Sequence, residues 1–450
     1  MLKKIGLGWN FGDWKAQYSV GLPRLSEEEK ALVLMVVEKF RAEAERREVK
    51  NEQDAMQTAK ELLSEVCEQE GIELDDDQEK YLAEFVFLHT WGFGFLQNLL
   101  SDPNLEEIAI IGIGQPVYVY KRKVGWLKTN IMIDSQEYFV SLVNRLGRNL
   151  GRRLTAQNPR LNAMLEDGSR IHASMPPVSS CELTIRKFTR EPLSPFELAE
   201  DTYSAEAMAL LSLCMQADMT IMIAGNTASG KTSTLNALLC FVPSSERLLL
   251  IEETPEISIP HPHQLRLLPF EEGGVGMVEL VRDSLRMRPD RVVVGEIRTP
   301  NEAAAFLESA LSGQAKGCYT TFHAQSCKDA MLRLRMMGCM LQDLEAIDVI
   351  VVQRRVSVYD ISKRKVGERR CLTEIAVANP KDLLAPVAVF EDRKFVRKDR
   401  LLQIVSERMG LTQAETKKEL ERRERYFACG RPKGFGRAFE AVQKMMFGGK

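Results

Sequence analysis

Through the N-terminal quarter of the chain the apolar positions return with the period of a helix. In "SEEEKALVLMVVEKFRAEAERR", Leu32, Met35, Val36 and Phe40 fall on one helical face, and Ser26 with Glu29 stands ahead of them in capping-box register. Two more helical segments are predicted near 51–72 and 76–101, the second kinked or interrupted at Gly92 and Gly94. Residues 1–25, where Trp9, Trp14 and Tyr18 are scattered among glycines, read as an irregular leader. At "EEIAIIGIGQPVYVYKRKVGWLKTNIMI" the period drops to two, with Val117 and Val119 alternating against tyrosines and lysines, which predicts strands and hairpins. A helix in "SQEYFVSLVNRLGRNLG" and short strands such as "CELTIRKF" complete an α+β unit ending near residue 190.

The stretch "TREPLSPFELAED" then reads as a linker running into a new helix, because Ser194, Pro195 and Glu197 supply a cap, a first-turn proline and a carboxylate at the third position. Beyond it the pattern becomes apolar strand, loop, helix, repeated: "TIMIAG", "RLLLIEE", "RVVVGEI", "GCYTTFHA", "VIVVQRRV". Short, wholly apolar runs alternating with helices predict a buried, mostly parallel sheet with crossover helices. The charged helix "LTQAETKKELERRERYF" near the end reads as a solvated face. The expected organisation is a helical extension over 1–100, an α+β domain over 101–190, a linker over 191–200 and an α/β domain with C-terminal helices over 201–450.

Composition narrows this picture. The 450 residues are 44% hydrophobic and 28% charged, a globular balance large enough for two or three domains. A net charge of −2 argues against nucleic acid or anionic lipid as a partner drawn in by a global basic field. The longest apolar stretches fall far short of the ~20 residues of a membrane span. No continuous apolar segment near the N-terminus suggests a signal peptide. Nine cysteines without a C-x-x-C pair fit neither a disulfide framework nor a zinc ribbon, and are expected to be reduced, packed thiols of a cytoplasmic protein. Action at a membrane would then require a partner.

The candidate chemistry centres on "MTIMIAGNTASGKTSTLNALL". Gly225, Asn226, Thr227, Ala228, Ser229, Gly230, Lys231 and Thr232 match the phosphate-loop pattern G-x-x-x-x-G-K-[ST] in full, with a strand before it and a helix, opening through Ser233, after it. The glycines let backbone N–H groups close around the phosphates of ATP, Lys231 reaches the β- and γ-phosphates, and Thr232 is the expected Mg²⁺ ligand. Hydrolysis also needs a carboxylate. "RPDRVVVGEIR" offers Asp290 before its strand and Glu296 after it, roughly 16–20 Å apart at ~3.3 Å per residue. Ligands of open α/β sheets sit at the carboxyl ends of strands, which selects Glu296 to orient or deprotonate water and leaves Asp290 a local cap. By the same rule Glu252 and Glu253, ending "RLLLIEE", are candidates to bind Mg²⁺ through water or polarise the nucleophile, with Glu256 ranked below them. His323 also follows a strand, and either a structural or a γ-phosphate role is open to it. His261 and His263 have no partners at metal-site spacing.

Four elements now stand in order: 225–232, "IEETPE", "RMRPDRVVVGEIR" and "SGQAKGCYTTFHAQS". Together they resemble the Walker A, Asp box, Walker B and His box of the ATPases that drive type II and type IV secretion, type IV pilus assembly and the archaellum. "GQAKGCYTTFHA" and "ERMGLTQAETKKELERRERYF" resemble archaeal-type members. The resemblance implies a RecA-like P-loop ATPase domain preceded by an α+β N-terminal domain. It also implies catalytic roles for Glu296 and His323, and arginines at Arg170 ("GSR") and Arg186 ("IRK") that approach the nucleotide across a domain cleft. The resemblance implies, too, a homo-hexamer working on a polytopic membrane platform protein and feeding pilin-like subunits into a filament from the cytoplasmic face. Two departures stand out: Glu253 replaces the aspartate of many members, and the tetracysteine zinc module of some is missing. A nucleic-acid translocase, a small-molecule P-loop kinase and a regulatory nucleotide-binding scaffold are the alternatives.

Overall fold

Local caps, strand pairing and helix packing follow the chemistry of the sequence closely in the computed structural model, which describes residues 9–448 apart from 13, 22–24, 122–123, 149–152, 166, 189–190, 271–272, 363, 380–381, 383–385, 392–393 and 431. The chain divides into two units, residues 1–189 and 190–450.

The first unit comprises β1 (Trp9–Phe11), α1 (Glu27–Arg46), α2 (Glu52–Glu70), α3 (Asp76–Thr90), α4 (Leu96–Ser101), β2 (Leu105–Ile110), β3 (Pro116–Lys121), β4 (Gly125–Ile133), α5 (Gln136–Leu146), β5 (Arg160–Met164), β6 (Arg170–Ser174) and β7 (Glu182–Arg186). Ser26 and Glu29 form the expected capping box on α1. The helical pattern over 76–101 is interrupted: α3 ends at Thr90 and α4 starts at Leu96. Gly94 takes φ +54° between them, and a Cβ there would lie 2.5 Å from the Tyr138 hydroxyl. The strands form one sheet in the order β1-β4-β3-β2-β7-β6-β5, every neighbouring pair antiparallel. Helices and sheet share a single core that includes Leu63, Leu82, Val86, Ile108, Val119, Phe139 and Ile185.

The leader departs from expectation. Trp9–Phe11 pairs with Ile131–Ile133 as the sheet's edge strand, and the buried Trp9 indole donates to His89 Nε2 at 2.8 Å. Three residues among glycines carry no period to read; the partner strand and the indole's acceptor decide their conformation.

The second unit comprises α6 (Pro195–Asp201), α7 (Ala205–Gln216), β8 (Ile221–Ala224), α8 (Lys231–Leu239), β9 (Leu248–Ile251), β10 (Gln264–Leu267), α9 (Met277–Ser284), β11 (Arg291–Ile297), α10 (Pro300–Leu311), β12 (Gly317–Phe322), α11 (Cys327–Met336), β13 (Val349–Asp360), β14 (Lys365–Val377), β15 (Val387–Glu391), β16 (Lys394–Phe395), α12 (Lys398–Met409), α13 (Gln413–Cys429) and α14 (Phe435–Phe447). Its sheet runs β10-β9-β11-β12-β8-β13-β14-β15-β16. The first six strands are mutually parallel, the RecA-like α/β arrangement, with the loop-bearing strand β8 between β12 and β13. Both faces are buried: Ile221 and Ile223 of β8 point into one core, Met222 and Ala224 into the other. At about 1.5–3 kcal/mol for a fully buried aliphatic side chain, such two-sided strands hold the platform under the loop.

Two features go beyond the sequence reading. The sheet continues into antiparallel strands β14–β16, because "VIVVQRRV", parallel to β8 as expected, also runs on as one arm of a long hairpin. Helix α13 is not wholly solvated: Thr416, Leu420, Arg423 and Phe427 are buried along one stripe. The Arg423 guanidinium donates to Ser212 Oγ at 3.0 Å, to Gln216 Oε1, and to Glu419 at 2.7 Å. A long arginine stem in an otherwise apolar stripe conceals the helix's inner face from a charge count.

Candidate active site

The phosphate-loop segment is built against a neighbouring strand. Strand β8 ends at Ala224, and helix α8 begins at Lys231 with Gly230 at φ +96° as its cap. A Cβ on Gly225 would overlap the Gln353 carbonyl, and one on Gly230 would lie 2.8 Å from Gln353 Nε2, so only glycine lets the loop sit this close. Asn226 pairs with the backbone of Arg355 through both side-chain atoms, donating to its carbonyl at 2.9 Å and accepting from its N–H at 2.8 Å. The Ala228 carbonyl accepts from Arg370 Nε at 3.0 Å, and the Ser229 carbonyl from Gln353 Nε2 at 2.6 Å. These bonds turn loop carbonyls toward β13 and β14, while the first N–H groups of α8 have no intrahelical acceptor. Thr227 is exposed at the apex, Ser229 is buried, and Ser233 is half-buried in the first turn of α8.

Gln353, which lies outside every sequence motif, is the hub of this arrangement. Only 1% exposed, it also accepts from Tyr203 OH at 3.1 Å and from Thr234 Oγ1. The signal was a lone amide inside the apolar run "VIVVQRRV", a buried polar group that must find partners. Gln353→Leu is expected to destabilise the second unit by about 2–4 kcal/mol, since it leaves the Ser229 carbonyl and two hydroxyls buried without their partner. Urea unfolding followed by circular dichroism measures this; a shift within about 0.5 kcal/mol would mean the loop is held some other way.

The acidic residues separate by what they touch. Glu252, 2% exposed, accepts from the Glu256 and Ile257 N–H groups at 2.8 Å each and lies 3.0 Å from Arg266 Nε. Burial raises its pKa, against the pull of those two N–H groups and Arg266. Its carboxylate thus fastens the turn after β9. Glu256, at the end of that turn, accepts from Thr232 Oγ1 at 2.9 Å, so the acid ranked lowest from sequence is the one in contact with the loop's threonine.

Glu253 pairs with Arg298, whose Nε donates to Glu296 Oε2 at 2.6 Å. Glu296 Oε1 lies 3.0 Å from His323 Nε2. A break in the β11–β12 register between Val294 and Ile297 re-aims Glu296 at this point. Lys231 Nζ lies 3.5 Å from His323 Nδ1 and 3.4 Å from Nε2. Burial, then the charges of Lys231, Arg333 and Arg298, hold the His323 pKa below its ordinary value. A neutral imidazole facing a carboxylate carries its proton on Nε2, leaving Nδ1 free to accept from Lys231. Lys231, His323, Glu296, Arg298 and Glu253 therefore form one continuous chain of contacts at the carboxyl ends of adjacent parallel strands.

Asp290 stands at the other end of β11, where it accepts from the Arg247 N–H at 2.8 Å and lies 3.4 Å from Lys316 Nζ, a local cap as expected. His261 contacts the Pro243 carbonyl through Nε2 at 3.0 Å, accepts from the His263 N–H at 3.2 Å and packs edge-on against Phe439. Among the described residues, no three His, Cys, Asp or Glu side chains group as a metal site.

In the first unit, Arg170 opens β6 and Arg186 closes β7, and the two are direct partners in the antiparallel register. Directly opposed residues emerge on the same face of a sheet, so both guanidinium groups leave from one side. On its other flank Arg186 opposes Glu107 of β2, whose pKa is raised by burial and pulled back by Arg186.

The family model described as type II/IV secretion system protein matches residues 139–425. An uncharacterized protein of Methanocaldococcus jannaschii is 37% identical over 251 residues, 54% of this chain and 45% of that protein. The type IV secretion system protein VirB11 of Brucella suis is 31% identical over 278 residues, 54% of this chain and 75% of its own length. The type IV secretion system protein PtlH of Bordetella pertussis is 30% identical over 329 residues, 64% of this chain and 92% of its own. The chain spans less than half the length of the Methanocaldococcus relatives it matches. A family match over most of the chain, joined to two relatives covered over three quarters or more of their length, means that this protein belongs to the type II/IV secretion system family.

Proposed function

We propose that the chain is a Mg²⁺-dependent ATP hydrolase coupling turnover to mechanical work, as a subunit of a homo-hexameric secretion or type IV pilus-like motor at the cytoplasmic face of the membrane. The observation that carries this reading is the convergence of Lys231, Thr232, Glu256, Glu296 and His323 around one glycine-lined loop. In this reading Gly225–Ser233 wraps the phosphates with backbone N–H groups at the positive end of α8, and Lys231 binds the β- and γ-phosphates.

Thr232 Oγ1 and Glu256, 2.9 Å apart, are the hard oxygen donors that Mg²⁺ takes. When bound, Mg²⁺ would neutralise charge on the phosphate oxygens. Glu296 orients the attacking water and takes its proton, held in place by His323 and Arg298; Glu253 acts through Arg298, and Glu252 shapes the turn that presents Glu256. Among the described residues no helix is long and apolar enough to cross a membrane, so we assign attachment there to a polytopic membrane partner, with pilin-like subunits beyond it.

To Arg170 and Arg186 we assign stabilisation of charge on the transferring phosphoryl group, supported by their shared sheet face. Arg170→Ala and Arg186→Ala should each lower kcat by about 10²-fold or more while ATP affinity stays within about threefold, because such an arginine acts in the transition state. Steady-state ATP turnover and direct nucleotide binding on the full chain test this. Unchanged turnover in both variants would remove the arginines from the mechanism, and a wild-type chain without Mg²⁺-dependent turnover would sink the whole reading.

A further inference from the structure

The first unit contains a recess of about 320 Å³ lined by Ser141, Asn144, Arg145, Arg148 and Arg153. Among the described residues three guanidinium groups line it and no carboxylate does. Ser141, Asn144, Arg145 and Arg148 follow one another at i, i+3, i+4 and i+7, so α5 and the turn after it present them on one face. The Asn144 side chain brackets the Leu154 backbone, accepting from its N–H at 2.8 Å and donating to its carbonyl at 3.1 Å, which pins the neighbouring Arg153 beside that face.

Arg145 is 9% exposed. Its Nη1 donates to the His89 carbonyl in the last turn of α3, a helix cap; the guanidinium lies over the neutral Tyr138 ring, and Nε and Nη2 are buried with no well-aligned acceptor and no carboxylate among the described residues. A buried guanidinium lacking a counter-charge is costly, and here two more cations stand beside it. Burial and the neighbouring Arg145 both lower the pKa of Arg148, so the cluster repels itself. The Arg148 guanidinium carbon lies 3.8 Å from the centre of the Trp91 ring, a cation–π contact that keeps it beside the recess. A surface helix with no use for this charge would let the side chains swing apart into water. Several planar forks lining one recess match a group that accepts several paired hydrogen bonds at once, and a tetrahedral phosphate does so where a single carboxylate satisfies one fork.

We propose that this recess, built wholly from residues of the first unit, is an anion site that takes a phosphate-type dianion, whether free phosphate or the monoester headgroup of a lipid. The test uses the full chain carrying Lys231→Met, which silences the phosphate loop. Equilibrium dialysis with radiolabelled inorganic phosphate should find one site per chain, weakened at least about tenfold by the added pair Arg148→Ala and Arg153→Ala, the loss expected for charged hydrogen bonds. Both positions are exposed, so the pair should leave the unfolding midpoint in place. Phosphate binding that survives the pair unchanged overturns the proposal. If free phosphate does not bind, co-flotation with phosphatidylcholine vesicles carrying phosphatidic acid, absent with phosphatidylcholine alone and lost in the pair, supports the site with a headgroup as its ligand. Binding of neither probe overturns the proposal and leaves Arg145 as the cap of α3 alone.

Discussion

Lys231→Met is expected to lower ATP turnover by about 10³-fold or more and to abolish the rise in unfolding temperature that ATP produces. Lys231 is 8% exposed and opens α8, where the helix's own dipole disfavours a cation. Its ammonium lies 3.4 Å and 3.5 Å from the two nitrogens of the His323 ring, whose pKa it helps to depress. The variant without nucleotide should unfold within a few degrees of the native chain, methionine conserving most of the volume. A large drop in the nucleotide-free midpoint would show that Lys231 holds the fold rather than the substrate. Near-native turnover would remove the loop from the reaction.

Glu296→Gln should reduce kcat by about 10²–10⁴-fold while ATP affinity changes by no more than about threefold. Glutamine keeps the shape and can still accept from His323 Nε2, but it cannot take a proton from water. Breaking the half-exposed pairing with Arg298 should cost at most about 1 kcal/mol, so the fold survives the change. Single-turnover hydrolysis beside direct nucleotide binding separates the chemical step from affinity. If turnover stays near the native value, the proton goes elsewhere, and Glu256, the other carboxylate in contact with the loop's surroundings, becomes the first group to examine.

How far the sequence could be read differs from residue to residue, and the reason is the range of the interaction involved. Gly225 through Thr232 were legible because a strand, a tight turn and a helix N-terminus demand those residue types at fixed offsets. Glu296 was separable from Asp290 because strand rise alone sets them at opposite ends of β11. The choice among Glu252, Glu253 and Glu256 was not legible. It depends on a turn in which Glu252 folds back onto two N–H groups of its own loop, and so delivers Glu256 to Thr232. Gln353 lies far along the chain from the loop it holds, and only the pairing of β13 with β8 brings them together. Arg170 and Arg186 carry no local pattern of their own; their register as direct partners is a property of the sheet.

The amino-acid sequence by itself determined five of the six parallel strands of the second unit, all but β10, together with the capping boxes of α1 and α6, the phosphate loop and the acid at the end of β11, because each rests on contacts within a few residues or on simple periodicity. Only the tertiary structure decided which strand the loop leans on, which carboxylate meets Thr232, that the leader closes the first sheet and that an arginine of α13 lies buried. Those outcomes depend on groups far apart in the chain satisfying one another once water is excluded, and that pairing is settled by packing rather than by any local preference.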